Sequence, residues 1–102
     1  MAQRCRDILE KILQKPFPPA MIQCSPGMSF EVDGYNEDLK VVLEYDFGTH
    51  TGYYWLIRIF WKEAQFRKLG LKYIRVSDDT PESQLENVIC EQIHALRLPR
   101  YL

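Results

Sequence analysis

Residues 30–46 read FEVDGYNEDLKVVLEYD, and this stretch decides which fold we expect. Two apolar runs are separated by the turn-forming segment DGYNED. Side chains alternate between the two faces of a strand, so Glu44 and Asp46 share one face of the second run. If both runs are strands joined by the turn, Asp33 lies at a neighbouring strand position. The pattern therefore predicts that three carboxylates lie close together.

Three converging carboxylates indicate a divalent metal site. Magnesium prefers oxygen ligands and usually binds through one or two carboxylates, with waters and a phosphate completing its shell, and this arrangement fits phosphodiester cleavage. Manganese is expected to substitute, since it accepts the same ligands. The alternative is that the acidic residues are merely solvated, because Asp33-Gly34 with Asn36 is favourable turn chemistry by itself.

Composition predicts one ordinary globular domain over residues 1–102. The chain is 46% hydrophobic and 26% charged, and it is long enough for one core but not for two. Its net charge of −1 argues against a strongly basic nucleic-acid coat protein, although a local basic patch remains compatible with that total. The charge therefore decides little about function.

Cysteine usage and hydropathy predict a soluble intracellular protein. Cys5, Cys24 and Cys90 are odd in number and far apart, which disfavours a disulfide framework and a structural zinc site. The first residues are charged from Arg4 on, and no run approaches the ~18 apolar residues of a membrane span. We expect no membrane association.

Periodicity and turn residues predict an α/β order of elements. Apolar residues at helical spacing predict a first helix over residues 3–14, which Pro16 ends. A strand is expected at 28–32, and a second at 39–45 whose continuous apolar run is typical of a central strand. The aromatic segment after the glycine-containing loop at 47–52 predicts a short third strand within 51–56. The remaining expected elements are a helix at 57–69, a strand at 71–76, and a C-terminal helix with Pro81 in its first turn.

This order resembles the PD-(D/E)XK nuclease core, which is a restriction-endonuclease-like fold of helix, three-strand meander, helix, strand and C-terminal helix. Within that superfamily the chain is similar to small nuclease domains of large DNA viruses and to very-short-patch repair endonucleases. The matching residues cover most of the chain: Asp33-Gly34-Tyr35-Asn36, Glu44-Tyr45, His50, Arg58, Lys62, Gly70 and Tyr73-Ile74-Arg75-Val76.

The resemblance implies a set of catalytic and metal-binding residues. Asp33 and Glu44 would be metal ligands, and the backbone carbonyl of Tyr45 would add another oxygen. Asp46 stands where the superfamily usually has its motif lysine, so it would act as a further ligand or as a base through water. Lys62 is the candidate to replace that lysine in space.

Further residues are candidates for contact with the substrate. His50 would protonate the leaving oxygen or hold a phosphate, and the alternative is an exposed loop histidine. Arg58 and Lys62 are four residues apart and share a helix face, which Lys68 would extend, and Lys40 would share the strand face of Glu44. Such a stripe is otherwise a solvated helix surface.

The aromatic residues of this region have two interpretations. Most of Tyr53, Tyr54, Trp55, Phe60 and Trp61 are expected in the core, with Tyr53 or Trp61 left at the surface to stack on bases or to contact a second copy.

Two functions remain open from the sequence. The first is a magnesium-dependent endonuclease that hydrolyses DNA in the cytoplasm or nucleus, including that of a virus-infected cell. The second is a catalytically decayed nuclease fold that serves as a nucleic-acid-binding or protein-interaction module. A homodimer would enlarge the small DNA-contacting surface in either case.

Overall fold

The structure is a computed structural model that describes residues 1–46 and 53–99, with the side chains of these residues except 46 and 53–56. Its first helix, α1, spans Ala2–Leu13 and buries a stripe at the expected helical spacing. The helix ends at Gln14, which adopts a left-handed φ of 54°, and Pro16 prevents its continuation. The predicted first helix is therefore confirmed.

An antiparallel hairpin follows the proline-rich connector. Strand β1 spans Ala20–Ser25 and pairs with β2, Met28–Val32. Gly27 in the turn has a φ of 78°, which glycine adopts without steric cost. The strand at 28–32 was predicted from the sequence, whereas β1 was not.

A second sheet contains three strands in the order β3-β4-β5. Strands β3, Gly34–Asn36, and β4, Val41–Asp46, are antiparallel, and β5, Lys72–Ser77, runs parallel to β4. The apolar run of β4 is therefore in a central strand, as its composition predicted.

Helix α2, Tyr53–Lys68, connects the parallel strands β4 and β5. The strand expected within 51–56 is wrong from residue 53 onward. Residues 51–52 and the whole of the predicted loop at 47–52 lie outside the described part of the chain. Parallel neighbours need a long crossover, usually a helix, and this requirement overrides the β preference of the aromatic residues.

The C-terminal helix α3, Leu85–Ala95, begins later than expected. Pro81 precedes a 3-10 turn at Glu82–Gln84 and does not lie in the first α-helical turn. Leu85, Ile89 and Ile93 are buried at helical spacing, which confirms the predicted apolar stripe.

The three-stranded sheet is covered on both faces. Val41 and Leu43 of β4 belong to a core with α1 and α3, and Val42 belongs to a second core with Phe66 of α2. Because faces alternate along a strand, Glu44 lies on the same face as Val42, toward α2. The described part of the chain is thus a compact mixed α/β unit with three α-helices and two sheets.

One side chain of α3 also contacts the backbone of β5. Gln92 accepts a hydrogen bond from the Arg75 N–H through Oε1 at 2.9 Å and donates one from Nε2 to the Arg75 carbonyl at 2.7 Å. Among the described residues, no helix has both the length and the hydropathy of a membrane span.

Candidate functional site

Asp33 lies at the bend between β2 and β3, where the chain passes from the hairpin to the three-stranded sheet. Its Oδ2 accepts a hydrogen bond of 2.7 Å from the backbone N–H of Tyr45. Gly34 pairs with Leu43, so a further step in the same register leads from Asp33 to Glu44. The structure therefore brings Asp33 to the part of β4 that carries Glu44, as the turn between them predicted.

Close packing explains why glycine follows Asp33. A Cβ on Gly34 would lie 3.1 Å from the Phe17 carbonyl oxygen and 3.3 Å from the Phe17 Cβ. A larger residue here would require the connector after α1 to move by a few tenths of an ångström. The position of the Asp33 backbone is thus determined partly by the packing of its neighbour.

Helix α1 also supports Asp33. Arg6 donates from Nη1 to the Asp33 carbonyl oxygen at 3.0 Å. Sequence reasoning did not identify Arg6, because 27 residues separate the two and no spacing pattern connects them. The contact places the bend against α1 and contributes a positive charge near Asp33.

Glu44 is paired with Lys62 of α2. The Lys62 Nζ lies 3.0 Å from Glu44 Oε1, and only 20% of the lysine side chain and 11% of the glutamate side chain are exposed. The same ammonium group donates to the Glu31 carbonyl oxygen at 3.3 Å. Removing two charges from water is costly, and the direct contact offsets that cost.

The helical spacing of α2 explains how Lys62 reaches the sheet. Ile59 and Phe66 are the buried residues of this face, and Lys62 lies between them, three residues after the first and four before the second. Its Nζ is 5.7 Å from the centroid of the Phe30 ring and 5.9 Å from that of Phe66, within the range of cation–π attraction. Lys62 therefore faces the sheet and is not simply part of a solvated surface.

Tyr45 contributes to the site through its backbone. Its N–H holds Asp33, while its hydroxyl donates to the Asp78 carbonyl oxygen at 3.3 Å. Burial raises the pKa of the Tyr45 hydroxyl above its ordinary value, and the neighbouring Asp78 carboxylate raises it further. This side chain thus remains protonated and structural at neutral pH.

The third predicted carboxylate, Asp46, and the predicted histidine, His50, lie outside the side chains that the structure describes. Asp46 is the last residue of β4, but its side chain lies outside the description, and His50 lies outside the described residues altogether. Among the side chains that are described, no three His, Cys, Asp or Glu residues form a metal-binding group. The predicted set of Asp33, Glu44 and Asp46 includes a side chain outside that part of the chain and stays a prediction.

The other predicted cations lie at different places on α2 and before β4. Arg58 is exposed one helical turn before Lys62, whereas Lys68 is exposed six residues after it, on a different side of α2. Lys40 precedes β4 and has a φ of 55°, so it does not share the strand face of Glu44. Lys68 therefore does not extend the helix face of Lys62, and Lys40 lies before the strand that carries Glu44. Contact of either lysine with nucleic acid stays a prediction.

Comparisons of the chain with protein-family profiles, with curated protein sequences and with solved structures found no match. Function must therefore be inferred from the contacts themselves.

Proposed function

We propose that this protein is a metal-dependent endonuclease that hydrolyses phosphodiester bonds in DNA. The observation that carries the proposal is the contact of Lys62 Nζ with Glu44 Oε1 at 3.0 Å. In the nucleases that the sequence resembles, a lysine two residues after the second carboxylate serves the attacking water. Asp46 occupies that position here, and α2 supplies an ammonium group to Glu44 from another direction.

The described carboxylates suit magnesium. Asp33 and Glu44 offer hard oxygen donors from adjoining segments, and Asp33 is held through one of its two oxygens, so that the other is available to a cation. The carbonyl of Tyr45 and the carboxylate of Asp46 are the further proposed ligands. Magnesium, when bound, supplies Lewis-acid stabilisation of the charge on the phosphate oxygens.

Lys62 has two tasks in this proposal. Its ammonium group, held by Glu44 and by the Glu31 carbonyl, is fixed before substrate arrives, so little reorganisation is needed when charge develops on the phosphate. Its N–H donors also suit it to orient the attacking water. Arg58, exposed one turn away, would hold a flanking phosphate, and His50 would donate a proton to the leaving oxygen.

The second candidate is a decayed nuclease that retains DNA or protein binding without catalysis. It is favoured by the acidic residue at the position of the motif lysine. The partly buried pair of Glu44 and Lys62 also has a structural use, because it connects α2 to the sheet. In this case the pair would contribute to folding alone.

Plasmid nicking by the purified chain distinguishes the two candidates. We expect nicking that requires magnesium or manganese, stops with chelator, and is lost in Asp33→Ala. Lys62→Met should reduce the rate by roughly 100-fold or more, a typical loss for a group that stabilises developing charge. Lys11→Met, which removes an exposed lysine from α1, is the matched control and should remain close to wild type. DNA binding without metal-dependent nicking would favour the decayed nuclease.

A further inference from the structure

An apolar patch on α2 lies beside the proposed catalytic lysine. It consists of Ile57, Phe60 and Trp61, whose side chains are 46%, 62% and 46% exposed. Spacings of three and four residues place Phe60 and Trp61 next to Ile57 on the helix surface. Trp61 directly precedes Lys62 in the chain, so the patch borders the site formed by Lys62 and Glu44.

The patch packs on a cluster of aromatic rings through edge-to-face contacts. Trp61 contacts Phe30 at a centroid distance of 5.5 Å and an interplanar angle of 76°, and Phe30 contacts the buried Phe66 at 5.7 Å and 85°. In an edge-to-face contact only one face of one ring is covered, so the Trp61 indole retains a face for another planar group. The contact with Phe30 therefore favours an orientation in which the other side of the Trp61 ring faces solvent.

The charge around the patch suits a polyanion. Helix α2 carries Arg58, Lys62, Arg67 and Lys68 against the single acidic residue Glu63, which is a net charge of +3 in a chain of net charge −1. Lys62 is paired with Glu44 and Arg67 with Glu63, and Arg58 is the exposed cation that adjoins the patch. Arg58 lies between Ile57 and the two aromatic residues in sequence and is exposed. Positive charge with accessible aromatic faces is the combination that binds single-stranded nucleic acid.

The patch is small for a dimer interface. Aromatic side chains bury about 150–250 Å² each, so three half-exposed residues offer roughly 300 Å². A stable interface usually buries about 800 Å² on each partner. The charge and the area thus both favour a strand of nucleic acid over a second copy of the chain.

We propose that Phe60 and Trp61 stack on unpaired bases, so that the site acts on single-stranded or locally unpaired DNA. This inference rests on the proposed function for the cleavage step, but the binding step is independent of it. A duplex keeps its bases stacked on one another, whereas an unpaired base has a free π-face for Trp61. Arg58 and Lys62 would then contact the phosphates next to that base.

Fluorescence anisotropy of the full chain in chelator tests this proposal without cleavage. The probes are a labelled 20-nucleotide oligothymidine and a 20-base-pair duplex. Trp61→Ala and Phe60→Ala should each weaken binding of the single strand by roughly 5- to 100-fold, the usual range for loss of one stack, with a change below about twofold for the duplex. Trp61→Phe, which keeps an aromatic face, should restore most of the affinity.

Met21→Ala is the control for loss of an exposed apolar side chain. Met21 is 65% exposed on β1 and alternates with Ile22, which faces the α2 core, so it lies on the opposite face of the hairpin. This variant should bind both probes like wild type. Equal losses for the two probes in Trp61→Ala, or no loss for the single strand, would overturn the proposal.

Sedimentation provides a separate outcome. A dimer that Phe60→Ser converts to monomer would also overturn the proposal, because the patch would then be an interface between copies. Failure of the stacking proposal leaves Asp33-dependent nicking of plasmid unaffected. Absence of nicking, in turn, leaves the preference for the single-stranded probe unaffected, so the two failures are distinguishable.

Discussion

The substitution Lys62→Met tests the electrostatic core of the site. Methionine retains most of the apolar stem beside Phe30 and Phe66 but removes the charge 3.0 Å from Glu44. At an effective dielectric constant near 20, that separation corresponds to about 5 kcal/mol of Coulomb attraction. Desolvation of the two groups offsets part of it, and we expect a net loss of about 2–3 kcal/mol in chelator.

The loss is measurable by urea and thermal unfolding. For a domain of this size, 2 kcal/mol corresponds to a decrease in Tm of about 10 °C. The matched control is the same substitution in a Glu44→Gln background, where Lys62 has no carboxylate to neutralise. There the cost should fall below about 1 kcal/mol, and the difference is the coupling energy of the pair.

Magnesium should restore part of the stability of Lys62→Met without restoring its nicking activity. Without Lys62 the carboxylates lose a competing cation, so the metal should bind the variant more tightly than it binds wild type. With a Kd of about 1 mM, 10 mM magnesium would restore about 1.4 kcal/mol. Nicking activity should nevertheless remain low, because the metal does not replace the ammonium donor.

Two results would refute this reasoning. An equal loss of stability in the wild-type and Glu44→Gln backgrounds would mean that Lys62 contributes packing over the aromatic rings rather than charge. If magnesium does not raise the free energy of unfolding of Lys62→Met, the assignment of a metal to this site is refuted. Replacing magnesium with calcium, which also takes oxygen ligands, allows metal binding to be measured by its effect on stability without relying on cleavage.

Three further substitutions test the surroundings of the site. Gly34→Ala should cost about 1–3 kcal/mol in urea unfolding, since its Cβ would lie 3.1 Å from the Phe17 carbonyl oxygen, and an unchanged midpoint would contradict this packing. Asn36→Asp should lower the free energy of unfolding by about 2 kcal/mol at pH 7, because Asn36 is 5% exposed and donates to the Pro16 carbonyl at 3.0 Å. The loss should be smaller near pH 4, where a protonated carboxyl can donate again. An equal loss at both pH values would argue against the donor role. Tyr45→Phe should reduce the fall in stability as pH rises above about 10. The folded Tyr45 pKa is raised, so the contribution of its hydroxyl is fully present below the unfolded value and is lost as pH rises through the folded one. Identical profiles for the variant and wild type above about pH 10 would exclude this linkage.

Elements with a strong apolar period were predicted from the sequence, and those determined by tertiary context were not. Helices α1 and α3 have clear stripes, and β4 has a run that only a central strand explains. Strand β1 was missed because its inward residues Ala20, Ile22 and Cys24 alternate with Met21, an exposed apolar residue that obscures the polar–apolar pattern. The aromatic start of α2 favours a strand locally, but the crossover between two parallel strands requires a helix there.

The same distinction applies to the site. The proximity of Asp33 to β4 follows from a tight connection and strand register, both of which are local properties. Lys62 was a candidate only through the resemblance, in which Asp46 stands at the position of the motif lysine and Lys62 matches a helix lysine; its contact with Glu44 depends on how α2 packs on the sheet. The contact of Arg6 with the Asp33 backbone depends on how α1 packs across the sheet, and no sequence spacing encodes that.

The contact of Gln92 with β5 has a consequence for self-association. Within the described residues β5 and β3 are the two outer strands of the three-stranded sheet, and an outer strand is a template on which another chain can add. The Gln92 amide presents one donor and one acceptor to Arg75, as the backbone of an added strand would. A side chain from α3 thereby occupies a pairing site in the middle of β5, which protects this edge against intermolecular β-sheet formation and aggregation.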